Sequence, residues 1–360
     1  MTTIFAGLMS GTSLDGVDGV LVDLHAGRPR HLAHVHLPFD ARLRDELLAL
    51  NAAGADELAR AARAANALAR VCADTVAALR AQCAHAVCAI GCHGQTVRHR
   101  PADGYTIQLL NGALLAELTG IDVVCDFRSR DVAAGGEGAP LVPAFHQAAF
   151  ADASVHRVIV NIGGIANLTD LPPAGTVTGF DCGPGNLLLD AWMQRHRGEP
   201  FDRDGAWATS GRVVPALLAR LRTEAFFART PPKSSGRDLF NAGWLARALA
   251  GDEAPADVQA TLLALTADCI ADAVARFCSG ASEIFLCGGG ARNRALAGAL
   301  AQRLAPRRVA ATDMLGIDAE HVEATAFAWL AARALAAQPG NLPSVTGARG
   351  PRVLGAVYRA

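Results

Sequence analysis

Asp181 is the residue in this chain best placed to do chemistry. It lies in Gly179-Phe-Asp-Cys-Gly-Pro-Gly-Asn186, where an apolar run meets a turn built of Gly, Pro and Asn. A carboxylate held at such a junction can act as a general base on a cleft floor. It can also cap a helix, although Asn186 is closer to the expected helix start and suits that task better. A second group of polar side chains follows the apolar run Ala86-Val-Cys-Ala-Ile90. Gly91-Cys-His-Gly-Gln-Thr-Val-Arg-His-Arg-Pro101 puts His93, Gln95, Thr96, Arg98 and His99 at a strand exit, where ligands collect in α/β folds. These are hydrogen-bonding types suited to a sugar; the alternative is a solvated loop. In Asp126-Phe-Arg-Ser-Arg-Asp131, Arg128 and Arg130 could grip a carboxylate or phosphate by paired hydrogen bonds, or form surface ion pairs with Asp126 and Asp131. His321, Glu323 and Thr325 stand near a helix start and read first as a solvated helix face. Pro231-Pro-Lys-Ser-Ser-Gly-Arg-Asp-Leu-Phe240 reads as an exposed loop or a lid over phosphate. Cys88, Cys92, His93 and His99 could be imagined as a zinc site, but Cys88 sits in an apolar run and reads as a small buried hydrophobe.

Glycine-rich turns supply the second kind of chemistry. Gly11-Thr-Ser-Leu-Asp-Gly16 joins two apolar runs, so residues 3–23 predict a hairpin whose tip carries backbone donors and hydroxyls. Small residues at such a tip let the backbone approach a phosphate. The stretch Val158-Ile-Val-Asn-Ile-Gly-Gly-Ile-Ala-Asn-Leu-Thr-Asp170 partly repeats the pattern, and Gly288-Gly-Gly290 follows the short apolar strand Ile284-Phe-Leu-Cys287. Neither a GxxxxGK[ST] loop nor a GxGxxG turn after a strand occurs. Two phosphate-type hairpins in one chain imply a duplicated nucleotide-binding fold.

The elements that must position these residues follow from periodicity. A strand is predicted near 31–37 and one or two long amphipathic helices over 41–83. Strands follow at 86–91, 105–109 and 121–125, with a helix at 111–119 between the last two. The Gly-rich segment Ala133-Ala-Gly-Gly-Glu-Gly-Ala-Pro140 reads as a mobile or ligand-shaped loop near a domain boundary. Beyond the second hairpin, helices are expected to about 197 and over 212–228, 242–249, 256–278, 293–304 and 319–337. Val353–Tyr358 is expected to return as a strand to the first domain. These readings give an N-terminal domain of residues 1–127 plus 340–360 and a second domain of 128–339. With 360 residues, 51% hydrophobic and 19% charged, two cored domains are affordable and disorder is not expected. The formal charge of −1 gives no reason to expect nucleic acid or an anionic membrane as partner. No basic region precedes the first apolar run, and no stretch of about 18 residues is free of charge and turn residues, so neither a signal peptide nor a membrane span is expected. Nine scattered cysteines without a CxxC suit reduced thiols and a cytoplasmic location.

Taken in order, six segments closely resemble the anhydro-N-acetylmuramic acid kinases over nearly the whole chain. They are Gly11–Gly16, Cys92-His-Gly-Gln-Thr-Val97, Asp126–Asp131 with Gly135-Gly-Glu-Gly-Ala-Pro-Leu141, Asn161-Ile-Gly-Gly-Ile-Ala-Asn167, Phe180–Asn186 and Cys287-Gly-Gly-Gly-Ala-Arg-Asn293. The resemblance implies a two-domain α/β architecture, the actin-like ATPase (duplicated ribonuclease-H-like) fold with ATP and sugar in the interdomain cleft. It implies ATP and Mg²⁺ as cofactors, a small-molecule sugar substrate and a homodimer. The implied reaction takes 1,6-anhydro-N-acetylmuramic acid, ATP and water to N-acetylmuramic acid 6-phosphate and ADP. Asp181 would be the catalytic base. ATP would be held by Gly11, Thr12, Ser13, Leu14, Asp15, Gly16, Val17 and Asp18, by Gly163, Gly164 and Asn167, and by Gly288, Gly289, Gly290 and Asn293. The sugar would be held by His93, Gln95, Thr96, Arg128, Arg130, Asp131 and Glu323. Related sugar kinases usually carry an acid two positions before the hairpin's Gly-Thr, where this chain has Met9, so no metal ligand is assigned.

Overall fold

The computed structural model describes residues 3–11, 13–25, 29–83, 85–237 and 239–360. The chain packs into two units, Met1–Ala149 with His321–Ala360, and Phe150–Glu320.

In the first unit the opening segment forms β1 (Ile4–Met9) and β2 (Gly16–Asp23), followed by β3 (Arg30–Pro38). After two helices, Ala41–Ala49 and Glu57–Gln82, come β4 (Ala89–Cys92), β5 (Gln95–Arg100), β6 (Tyr105–Leu109) and β7 (Val123–Cys125). β1, β2 and β3 pair antiparallel, and β4 and β7 continue the sheet parallel to β1. The C-terminal β13 (Ala356–Tyr358) adds to β7, as expected of the tail. β5 and β6, of which the sequence reading made only β6 a strand, form a separate ribbon.

Alternation along β1 explains the layers. Ala6 and Leu8 join the core that includes Leu68, Cys72, Val76 and Leu79 of the Glu57–Gln82 helix. Phe5 and Met9 pack on the other face, against Ala324 and Ala328 of the helix Val322–Leu335. That helix comes so close that a Cβ on Gly7 would lie 1.9 Å from the Ala324 carbonyl oxygen. A Cβ on Gly91, which pairs with Gly7, would lie 2.0 Å from that of Phe327. Only glycine admits such an approach. The compact units change over at 149/150 and 320/321, where the sequence reading drew 127/128 and 339/340; the helix Val322–Leu335 packs on the first sheet.

The second unit contains β8 (Arg157–Ile162), β9 (Ile165–Leu171), β10 (Thr178–Pro184), β11 (Glu283–Cys287) and β12 (Arg308–Ala311). Its sheet runs β10-β9-β8-β11-β12, with β8, β9 and β10 antiparallel and β11 and β12 parallel to β8. Counting each sheet's own strands along the chain, both run third, second, first, fourth, fifth, with β13 added as a sixth in the first, so the duplication inferred from the hairpins is a duplication of topology. This is the actin-like ATPase fold. The helix Pro255–Phe277 is long and apolar enough to cross a membrane, but 83% of its apolar window is buried. It supplies Val258, Leu262, Leu265, Ile270 and Val274 to the core beneath β8, β9 and β10. The stretch expected as one helix over 212–228 is two short ones, Pro215–Leu221 and Ala225–Ala228, the second capped by the Glu224 side chain.

Candidate active site

In the first unit three chain segments bring polar side chains together. His93 follows β4, Arg128 follows β7, and Glu323 lies in the first turn of Val322–Leu335. The buried His93 ring places Nδ1 3.3 Å from the Ser10 carbonyl oxygen and Nε2 3.0 Å from Arg128 Nη2. Arg128 can only donate, so His93 is the neutral tautomer that accepts at Nε2 and donates from Nδ1. Burial, then the Arg128 charge, press its pKa down to about 3. Burial lowers the Arg128 pKa to about 10, opposed first by Glu323 and then by Asp131, so Arg128 remains a cation at neutral pH. Arg128 also donates to the Gly138 carbonyl at 2.7 Å. Arg130 is exposed, with no ion pair among the described residues.

Several of the expected ligand groups brace the backbone. Asp131 is fully buried; its Oδ1 accepts from Asn341 Nδ2 (2.6 Å) and Thr346 Oγ1 (2.8 Å), and its Oδ2 from the Gly138 N–H (2.8 Å). It fastens the Gly-rich loop, which the Glu137 N–H also ties to Thr346. Neither Asp126 nor Asp131 forms the ion pairs considered from sequence: Asp126 accepts from Ser129 Oγ at 2.5 Å. Gln95 accepts from Ser10 Oγ (2.5 Å) and donates to the Gly11 carbonyl (3.2 Å), bracing the first hairpin. Thr96 Oγ1 accepts from Gln108 within the β5–β6 ribbon, and Arg98 pairs with Glu57.

At the hairpin itself Ser13 and Asp15 are exposed and bonded to each other at 2.8 Å, and Leu14 is buried with φ +57°. Thr12 lies outside the described residues. Gly16, Val17 and Asp18 belong to β2 rather than the tip. The Val17 side chain enters the core, and Asp18 accepts from His36 at 2.9 Å with His34 at 3.6 Å. Burial opposes Asp18 ionisation, but the two histidines outweigh it and lower its pKa.

The second unit assembles its candidates by register. Asn161 on β8 pairs with Asn167 on β9, which pairs with Asp181 on β10, so these side chains share one face of the sheet. Asp181 thus sits within a strand rather than in a turn, beside a bulge that Gly183 absorbs at φ +154°. Its backbone N–H donates to the Lys233 carbonyl (3.1 Å), and its Oδ2 accepts the Ser235 N–H (2.8 Å). No other hydrogen bond reaches its carboxylate among the described residues. Burial raises its pKa to about 7, against the opposing Ser235 N–H and Lys233 charge. A carboxylate with one open oxygen that titrates near neutrality is suited to take a proton.

Around this row the glycine turns converge. The Gly163 carbonyl accepts the Asn186 N–H, and the Gly164 carbonyl accepts those of Gly185 and Leu187, strapping the second hairpin to the helix Leu187–Arg197. Asn186 stands at that helix's cap position, but its side chain donates to the Ile162 carbonyl instead. A Cβ on Gly288 would lie 2.4 Å from Asn161 Oδ1, and one on Gly290 would lie 2.3 Å from Ile162 Cγ2. The Gly288–Gly290 turn is thereby pressed against the end of β8. Asn293 caps the helix Arg294–Leu304 through its Oδ1. Sequence reading quoted the motif without singling out Asn161; the cross-strand register that aligns it with Asn167 and Asp181 was the missing signal.

A family model described as anhydro-N-acetylmuramic acid kinase matches residues 3–360. The anhydro-N-acetylmuramic acid kinase of Nitrosospira multiformis is 57% identical, covering 99% of each chain. That of Bordetella petrii is 59% identical over 99% of this chain and 96% of its own. Among solved structures, the Acidaminococcus fermentans (R)-2-hydroxyglutaryl-CoA dehydratase component A aligns with a TM-score of 0.49 at 12% identity, over 91% of this chain and 96% of that one. The chain belongs to the anhydro-N-acetylmuramic acid kinase family.

Proposed function

We infer that this chain is an ATP-dependent kinase of cell-wall recycling. It opens the 1,6-anhydro ring of anhydro-N-acetylmuramic acid with water and phosphorylates O6, giving N-acetylmuramic acid 6-phosphate and ADP. The observation that carries the chemistry is Asp181, half-buried with one unengaged carboxylate oxygen and a pKa of about 7.

In an anhydro sugar O6 is bonded to C1 and has no proton to lose, so the base acts on water. Asp181 takes a proton from water as the water oxygen bonds to C1. The C1–O6 bond breaks with its electron pair on O6, and O6 bonds to the γ-phosphorus as ADP leaves. An inverting glycosidase needs a second carboxylic acid to protonate the leaving oxygen. Here the phosphoryl group captures that oxygen, so one carboxylate suffices. We assign the triphosphate to the Gly11–Asp15 tip, Gly163, Gly164 and Gly288–Gly290, with Asn161 and Asn167 beside the base. The sugar and its lactyl carboxylate we assign to His93, Arg128, Arg130 and Glu323, with Thr96 nearby. Gln95, Asp131 and Asn293 we assign to support, since their side chains already hold the backbone. Mg²⁺ would offset triphosphate charge. Among the described residues no group of three His, Cys, Asp or Glu side chains could hold a metal. That fits an ion ligated mainly by phosphate oxygens and water. A cytoplasmic location and a homodimer complete the proposal.

The test is turnover of anhydro-N-acetylmuramic acid with ATP and Mg²⁺ in ¹⁸O-labelled water. Label at O1 of a 6-phosphorylated product is expected. Turnover confined to free amino sugars would make the chain a conventional kinase, and turnover of neither would make it a binding protein.

A further inference from the structure

We propose that Asn167 and Ser235 hold the attacking water against the open oxygen of Asp181, leaving one lone pair of that water for C1 of the sugar. The proposal rests on Asp181 as the base. Asn167 lies directly opposite Asp181 in the pairing of β9 with β10, on the same face of the sheet. Residues so opposed have Cβ atoms about 4.5–5.5 Å apart, so the amide stands beside the carboxylate. Asn161, the other amide of the row, is buried, and its Oδ1 is pressed against the turn at Gly288. Asn167 is half-buried, and among the described residues its side chain makes no hydrogen bond.

Ser235 comes from a different segment. β10 is the edge strand of its sheet, and the loop Pro231–Gly236 runs beside it. The Lys233 carbonyl receives the Asp181 N–H, and two residues later the Ser235 N–H reaches Oδ2 at 2.8 Å. Covalent geometry keeps Ser235 Oγ within about 4 Å of its own backbone nitrogen, and hence near the carboxylate. That hydroxyl is buried and has no hydrogen-bond partner among the described residues. Buried polar groups almost always have a partner, so an orphan beside a base points to a ligand. The attacking water fits both groups. It has two protons and two lone pairs. Asp181 takes one proton, and Asn167 Oδ1 accepts a hydrogen bond from the other. The Ser235 O–H donates to one lone pair, and the second lone pair forms the bond to C1. Asn167 and Ser235 gain and lose no proton; their contribution is orientation.

The test is steady-state kinetics of variants at both positions beside the wild type. Asn167→Leu keeps the side-chain volume and removes both polar atoms. Its kcat should fall about tenfold to a hundredfold, with KM for ATP within about twofold of wild type. Asn167→Ser, which restores a short hydrogen-bonding group, should recover part of the loss. If Asn167→Leu does not fold, Asn167→Ala carries the same comparison. Ser235→Ala leaves the backbone N–H on Oδ2. It should lower kcat about tenfold and yet raise Tm, because an unmade buried hydrogen bond is removed; a packing role would lower both. Asn167→Asp sets a second carboxylate beside the base and should move the acid-limb midpoint of the kcat/KM profile up by about one pH unit. Wild-type kcat in folded Asn167→Leu or in Ser235→Ala overturns the proposal. So does an unmoved midpoint in folded Asn167→Asp, or a raised KM for ATP with kcat intact. Asp181→Asn separates the two readings: retained turnover there sinks the base itself, whereas an inactive Asp181→Asn beside a fully active Asn167→Leu sinks only the placing of the water.

Discussion

Asp131 and Asp181 are two aspartates withdrawn from water, one in each unit, the first fully and the second in part, and they are treated in opposite ways. Asp131 receives three hydrogen bonds spread over both oxygens. Asp181 receives one, on Oδ2, and nothing described reaches its other oxygen. A carboxylate that accepts several donors has its oxygens committed, whereas one left short of donors pays for desolvation with a raised pKa. What separates a strut from a reagent is the number of donors provided. Asp131 spends its acceptors on shaping the Gly-rich loop, and Asp181 keeps one for a substrate proton.

The sharpest way to break this contrast is to exchange each carboxylate for its amide. Asp181→Asn should lower kcat by about a thousandfold, within the range of a lost general base, with ATP affinity nearly unchanged by calorimetry. A fall of less than tenfold would remove Asp181 from the chemistry. Asp131→Asn should act on the fold instead, because an amide cannot accept from both Asn341 and Thr346 while also meeting the Gly138 N–H. The expected loss is about 2–4 kcal/mol in denaturant unfolding, since buried donors are stranded. Asp131→Asn with wild-type stability would erase its role as a strut.

How much of this was legible in the sequence depended on where the determining partner lay. Both hairpins and most helices were readable, because their signals, an apolar period and a Gly-rich turn, lie within one segment. β10 was not, since Gly179, Gly183, Gly185 and Pro184 read as a turn; it is a strand because β9 pairs with it and a bulge absorbs Gly183. The home of the helix Val322–Leu335 was hidden for a related reason. The glycines that admit it, Gly7 and Gly91, lie more than two hundred residues upstream. Site residues behaved the same way. Asp181 stood out by type and setting, but nothing local distinguished Asp131, whose partners Asn341 and Thr346 are near the C-terminus, from a ligand-binding acid.

The contrast also predicts how stability responds to pH. A carboxylate whose folded pKa is raised to about 7 costs nothing while protonated in both states. Its penalty grows as pH rises from the ordinary carboxylate range to about 7, then levels off. Asp181→Asn removes that penalty. The variant should therefore unfold at a higher temperature than wild type at pH 8, by a few degrees, with a smaller advantage at pH 5. Measuring Tm of both proteins across this range checks the sign. An advantage that shrinks with rising pH would mean that Asp181 is ionised without cost.

The smallest expected effect concerns His93, a proposed site residue whose imidazole offers a rival source for the titration assigned to the base. Its pKa of about 3 means the ring is neutral throughout the working range. Its side-chain hydrogen bonds need a donor toward Ser10 and an acceptor toward Arg128. A glutamine side chain offers both without titrating. His93→Gln should raise KM for the sugar less than tenfold and leave the acid-limb midpoint within about 0.3 unit of wild type, because exchanging one neutral group for another leaves the local charge unchanged. A midpoint that vanished or moved by a full unit would assign the titration to His93. Asp181 would then be a second strut, and the difference between the two aspartates would lose its chemical meaning.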